Sequence, residues 1–193
     1  MKIVFATHNA HKLREVQQLL PEHIQLLSLD VIGCMEEIPE TGSTLEENAK
    51  IKADHITEKY GMNCFSDDTG LLIDALEGAP GVYSARYAGA QKNAVDNMSK
   101  VLGELNGISE RSAYFKTVIH LNLNGQCHVF EGKVHGTITE TAKGDQGFGY
   151  DPIFKPEGYQ KTFGELPSSI KNSISHRGRA IQKLVAFLKN RDK

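Results

Sequence analysis

The chain has no tryptophan and only three cysteines. Cys34, Cys64 and Cys127 are odd in number and widely spaced, with no CxxC pair among them. Neither a disulfide framework nor a zinc site is expected; free, buried thiols in a reducing compartment are. An excess of charge of either sign is also missing, since 22 Lys and Arg stand against 24 Asp and Glu, a formal net charge of −2. Generic binding to nucleic acid needs clustered basic residues, so this balance speaks against a nucleic-acid partner. A small anionic ligand is still allowed, because a few well-placed cations focus the field locally. No stretch reaches the ~18 apolar residues of a membrane span, and the short apolar run Ile3 to Ala6 turns polar at Thr7, too soon for a signal peptide. The expected location is cytoplasmic, with no membrane partner.

What is present is an ordinary globular composition, 39% hydrophobic and 24% charged over 193 residues. With no internal repeat and no separating linker, 1–193 reads as a single domain. Ile3 to Ala6 reads as a short buried strand. Leu13, Val16 and Leu20 then follow at helical spacing until Pro21 stops the helix, making a strand–loop–helix unit. Thr44-Leu45-Glu46-Glu47 fits a capping box, and Leu45, Ala49, Ala53, Ile56 and Tyr60 predict a helix over 45–60 closed by Gly61. Met62 to Phe65 reads as a second strand that ends at Ser66-Asp67-Asp68-Thr69-Gly70. Val95, Met98, Val101, Leu102 and Leu105 mark a third helix capped by Asn93. Alternation from Ala113 to Leu123 predicts a long strand, Asn124-Gly125 a hairpin turn, and Gln126 to Val134 the returning strand. Ile181, Leu184, Val185 and Leu188 mark a final helix. The fold class is α/β, with a long antiparallel hairpin built into a mixed sheet.

Four groups of residues could carry chemistry. Asp67 and Asp68 end an apolar strand, where open α/β sheets place ligands. Successive strand residues face opposite ways, so both carboxylates reach one ligand only if the chain turns there, and Gly70 makes a turn cheap. Such carboxylates could hold a magnesium ion or take a proton from water, or they could cap a helix or form a turn. The polar loop Thr7-His8-Asn9-Ala10-His11-Lys12 precedes a helix N-terminus, where a phosphate fits, although it contains no glycine of the Walker type. It could equally be an Asn cap beside a solvated lysine. On the helix from Leu45, Asn48 and Lys52 form one polar row at i, i+4. Glu47 suits the N3 capping position as well as a site acid, and Glu40 is a further candidate metal ligand. Lastly, Phe148, Gly149, Tyr150 and Asp151 follow Gly147, and Lys171, His176 and Arg177 stand downstream. Glycines beside aromatic rings can make a slot for a flat base, with Arg177 offering its planar fork; core aromatics in a tight loop are the alternative. His176 reads as a hydrogen-bonded helix-start residue, because no second His or Cys stands at ligand spacing.

These segments resemble the Ham1/inosine triphosphate pyrophosphatase family. The matching stretches are Ala6 to Lys12, Glu40 to Ala49, Ser66 to Leu71, Gly78 to Gly89, Gly147 to Phe154 and Ile174 to Arg177. They occur in family order and span nearly the whole chain. The resemblance implies a two-lobed ITPase-like α/β fold, with a long central mixed sheet flanked by helices and an active-site cleft between lobes. It implies a homodimer that uses Mg2+ to hydrolyse nucleoside triphosphates such as ITP, dITP and XTP to the monophosphate and pyrophosphate. By position, Asp68 matches the proton acceptor and metal ligand, with Asp67 beside it. Thr7 through Lys12, Thr69, Phe148 through Asp151, Lys171, His176 and Arg177 match substrate-binding positions. The second metal acid falls on Glu40 or Glu47. Thr69 stands where many members carry serine, and His8 where glycine is frequent. A nucleotide-binding regulator without chemistry, and an RNA-binding module stacking bases on Phe148 and Tyr150, are the competing readings; the carboxylate pair opposes the first and the charge balance the second.

Overall fold

The computed structural model describes residues 1–190 of the expected 1–193 domain, and residues 191–193 lie outside the described residues. In chain order the elements are β1 (Lys2–Phe5), α1 (Ala10–Leu19), β2 (Gln25–Leu27), α2 (Leu45–Tyr60), β3 (Cys64–Ile73), α3 (Ala94–Glu104), β4 (Ser112–Leu123), β5 (Gln126–Ile138), β6 (Phe154–Pro156), α4 (Ser168–Ile174) and α5 (His176–Lys189). The strands form one six-stranded sheet in the order β2-β1-β3-β4-β5-β6. Both β2 and β3 run parallel to β1, whereas β6 is antiparallel to β5, so the sheet is mixed as expected. Among the described residues no helix is long and apolar enough to cross a membrane.

The chain divides into two compact units. The first takes Met1–Asp68, Thr117–Gly132 and the chain from Arg177; the second takes Thr69–Lys116 and Lys133–His176. In the first unit the two-residue period of a strand sorts the core into two clusters. Ile3 and Phe5 of β1 and Phe65 of β3 face Val16 of α1 and Ala180, Ile181, Leu184 and Leu188 of α5. Val4, Ala6 and Cys64 point the other way, toward Ile56 of α2, Leu29 and Cys34. Phe5 and Phe65 are register partners, and their rings stack with centroids 4.7 Å apart. Each such ring removed from water contributes about 2–3 kcal/mol.

The caps are as the sequence indicates. Thr44 accepts from the Glu47 N–H, Gly61 closes α2 in the left-handed conformation at φ 64°, and Asn93 caps α3. The hairpin turn has φ of 50° at Asn124 and 76° at Gly125, the doubly positive pair that a type I′ turn requires. The returning strand runs four residues past the expected Val134, through Ile138. Three elements carry no periodicity long enough to read: β2, β6 and α4.

One expectation is overturned. β3 does not stop at Phe65 and turn at Gly70; it continues to Ile73, through both aspartates. Gly70 serves close approach instead. A Cβ there would sit 2.7 Å from the Gly81 carbonyl oxygen and 3.1 Å from its carbon, both backbone atoms that cannot swing aside. Gly70→Ala should therefore lower the unfolding free energy by about 2 kcal/mol, read from urea denaturation. In this second unit Leu71, Ile73, Phe115, Val134, Ile138, Phe154 and Phe163 make the core together with Val101 and Leu105 of α3.

Candidate active site

Because β3 runs straight through Ser66, Asp67 and Asp68, neighbouring side chains leave on opposite faces. Asp67 shares parity with Phe65 and goes to the α1/α5 side. Its Oδ1 accepts from Lys12 Nζ at 2.9 Å and its Oδ2 from Arg177 Nε at 3.0 Å. Arg177 in turn gives an N–H to Glu15 Oε2 at 2.5 Å. Asp67 is 1% exposed and Arg177 2%. Burial alone would raise the Asp67 pKa, but the charges of Lys12, Arg177 and Lys52 outweigh it and hold the carboxyl well below its ordinary value. Burial in turn lowers the Lys12 pKa, against the pull of Asp67.

Ser66 and Asp68 go to the α2 side. Ser66 Oγ donates to the Ala49 carbonyl, which fixes the strand on the helix. Lys52 of α2 donates to the Asp67 carbonyl oxygen at 2.7 Å and to Glu40 Oε1 at 2.5 Å, and it lies 3.9 Å from Asp68 Oδ1. Burial would lower the Lys52 pKa, but Asp68, Glu40 and Asp67 together raise it. For Asp68 the balance runs the opposite way to Asp67. Burial, helped by repulsion from Glu40 and Asp67, raises its pKa despite Lys52 and Lys12. Two adjacent, buried carboxylates with opposite shifts are a sign of assigned roles rather than of a shared one.

The flanking residues fall into place around this strand. Asn9 caps α1, accepting from the N–H groups of His11 and Lys12, and its own N–H bonds Thr7 Oγ1 at 3.1 Å. The cap is the bland reading of this loop; Lys12, however, is not a solvated lysine. His8, Asn9, Ala10 and His11 are exposed, and His8 Nε2 lies 3.0 Å from the Glu36 carbonyl. Asn48 is fully buried and its Oδ1 accepts from the Gly42 N–H at 2.8 Å, while its Nδ2 finds no hydrogen-bond partner among the described residues. Glu47 turns back to Ser43, accepting from its N–H at 2.7 Å and its hydroxyl at 2.9 Å, so one of its oxygens is spent on the helix start. Glu15 and Ser66 were not singled out from the sequence. Glu15 stands three residues beyond Lys12 on α1, and that i, i+3 row was the available signal.

The second unit holds the remaining residues. Gly147 has φ 76° and Gly149 φ 63°. The loop they shape folds over Asp151, whose Oδ2 accepts from the Phe148 N–H and from Lys171 Nζ, each at 2.7 Å. The Lys171 ammonium also lies 4.8 Å from the centroid of the half-buried Phe148 ring. Tyr150 is a core aromatic, its hydroxyl donating to the Ser84 carbonyl at 2.8 Å. His176 opens α5 with its ring stacked on Phe115 at 4.5 Å, and Thr69 is half-buried on β3. Cys34 and Cys64 are buried as expected, whereas Cys127 is exposed, because it lies on β5 directly after the hairpin turn.

The model of the Ham1 family matches residues 3–187. A protein named dITP/XTP pyrophosphatase from Flavobacterium johnsoniae is 60% identical over 188 residues, 97% of this chain and 98% of that one. The solved structure of a HAM1 protein from Coxiella burnetii superposes with a TM-score of 0.91 at 41% identity, covering 98% of this chain and 99% of the other. That of a nucleoside-triphosphatase, dITP/XTP pyrophosphatase, from Mycobacterium abscessus gives 0.78 at 40% identity, covering 96% and 99%.

Proposed function

The chain belongs to the Ham1 family, and from that premise we propose that it is a nucleoside triphosphate pyrophosphatase acting on non-canonical purine nucleotides. Its reaction is hydrolysis between the α- and β-phosphates of dITP, XTP and ITP, releasing pyrophosphate and the nucleoside monophosphate before such bases enter DNA or RNA. The observation that carries this reading is that one strand sets Asp67 between Lys12 and Arg177 on one face and Asp68 beside Lys52 on the other. Asp68 is a desolvated carboxylate made more basic than an ordinary aspartate, suited to orienting a water and accepting its proton. Asp67 is locked between Lys12 and Arg177 and positions them. Lys12 and Lys52 are the cations that meet phosphate oxygens, and Asn48, with its buried amide unsatisfied, is a further donor.

The donors also fit a hard divalent ion. Asp68 and Glu40 repel each other and already share the Lys52 cation, and both offer only oxygen. They are the residues we assign to Mg2+, with Glu47 given to the helix cap and both Asp67 oxygens to cations. When bound, the ion supplies neutralisation of the charge that develops on the phosphates. Phe148, Gly149, Tyr150, Asp151, Lys171 and His176 are carried by the resemblance as substrate-binding positions, with Thr7 through Lys12, Thr69 and Arg177. Of these, the Phe148 face and the Asp151–Lys171 pair have the chemistry for a purine ring. A homodimer in the cytoplasm belongs to the same reading.

Initial rates of pyrophosphate release with Mg2+ across ITP, dITP, XTP, GTP and ATP test it. The 6-oxo, 2-amino-free bases should be preferred over ATP by about 10⁴ or more in kcat/KM, the scale available when a mismatch leaves buried polar groups unpaired. Equal efficiency on all five would refute the assignment.

A further inference from the structure

We propose that Cys34, Glu36 and His55 form a binding site for a soft-to-borderline divalent cation of the Zn2+ class, separate from the Asp68–Glu40 site. The cysteine spacing gave no sign of it, because the ligands are of three kinds and come from two elements. One donor atom from each lies within 4.8 Å of the other two. A tetrahedral zinc ion holds thiolate, imidazole and carboxylate atoms about 3–4 Å apart, so side-chain adjustments of about an ångström complete the set.

The local chain explains how the cluster forms. Between the 3-10 turn Asp30–Ile32 and α2 burial alternates along the chain: Cys34 is buried, Met35 is 74% exposed, and Glu36 is half-buried. His55 looks out from α2 and brings its Nε2 to 3.0 Å from Glu36 Oε1. Hydrogen bonds from Lys59 and His55 hold the Glu36 carboxyl well below its usual pKa, so it stands ready as an anion. The Tyr60 hydroxyl is within reach of both Glu36 and Cys34. His55 and Glu36 are about one third exposed, which leaves an entry path and room for a water as the fourth ligand. Thiolate with imidazole selects zinc over magnesium, so the two sites would not compete for one ion.

Glu36 also ties this cluster to the rest of the unit. Its carbonyl meets His8 of the Thr7–Lys12 loop, and four residues on the same segment delivers Glu40 to Lys52. An ion at Cys34 and Glu36 would therefore pin the start of the stretch that carries Glu40 to α2 through His55. Lys59 is the resident competitor, its ammonium 2.6 Å from Glu36 Oε1.

The test uses the full chain in a Cys127→Ser background, stripped with a chelator and titrated with Co2+ in excess Mg2+. The near-ultraviolet thiolate-to-cobalt band reports only sulfur ligation, so Co2+ replacing Mg2+ at oxygen ligands is silent in it. One equivalent of Co2+ should produce the band, and Zn2+ should displace it. Cys34→Ser should abolish it, and His55→Gln should weaken binding by about tenfold or more. Lys59→Met should tighten it by about threefold, because an exposed ammonium no longer competes for Glu36. No band at stoichiometric Co2+, or a band that survives Cys34→Ser, overturns the proposal. If Cys34→Ser does not fold, an affinity unmoved by both His55→Gln and Lys59→Met does the same.

Discussion

Asp68→Asn is expected to lower kcat for dITP hydrolysis by about three orders of magnitude while leaving the protein as stable as before. The rate effect follows from removing a carboxylate whose surroundings make it a better base, a role worth about 10²–10⁴ in rate. The stability effect is the less obvious half. An acid whose pKa is raised on folding is destabilising in its ionised form at every pH above its ordinary value near ~3.9. Asparagine removes that charge, and Lys52 keeps Glu40 and the Asp67 carbonyl as partners. The variant should unfold in urea at or slightly above the wild-type midpoint. Pyrophosphate release at a tenth or more of the normal kcat would remove Asp68 from the chemistry.

Asp67→Asn should do the reverse to stability. It takes the Asp67 charge away from the buried Lys12 and from Arg177, which keeps Glu15, and breaking a buried pair in this way costs about 3–5 kcal/mol. For a chain of this size the melting temperature should fall by about 10 °C. Since the Asp67 pKa is depressed by folding, its contribution is complete above ~pH 4 and is lost as pH falls further through the depressed value. Wild type and variant should therefore converge in stability on acidification, and a difference that stays constant from pH 7 to pH 2 would count against the buried lock. Activity should drop as well, through misplaced Lys12 and Arg177.

The helices and turns were legible where a local rule acts alone. Thr44 and Gly61 bracket α2, Asn93 opens α3, and Asn124-Gly125 turns the hairpin, each through its own backbone chemistry. The strand through Ser66-Asp67-Asp68-Thr69 reads as a turn on the premise that both carboxylates meet one ligand, with Gly70 to allow it, whereas they serve opposite faces of β3. Here the polar residues are buried on both faces, against Lys12 and Arg177 on one and Lys52 on the other, and only the tertiary structure supplies those cations. Glu15 was hidden for the same reason. Its partner Arg177 lies 162 residues away in sequence. The choice between Glu40 and Glu47 could not be made from spacing, since both sit near the start of α2. Only the Ser43 contacts of one and the Lys52 contact of the other separate them. The Cys34–Glu36–His55 group was beyond reach altogether, because no motif connects its three members.

The straight run of β3 through the aspartates bears on which genetic changes this protein can survive. Point substitutions at Asp67 or Asp68 each disable one face of the strand. Deleting a single codon between Phe65 and Asp67 would do more: every later side chain would change sides. Asp68 would be handed to Lys12 and Arg177, and Lys52 would keep Glu40 but lose the Asp68 carboxylate. Drift in this segment should accordingly proceed by replacement, with its length held constant.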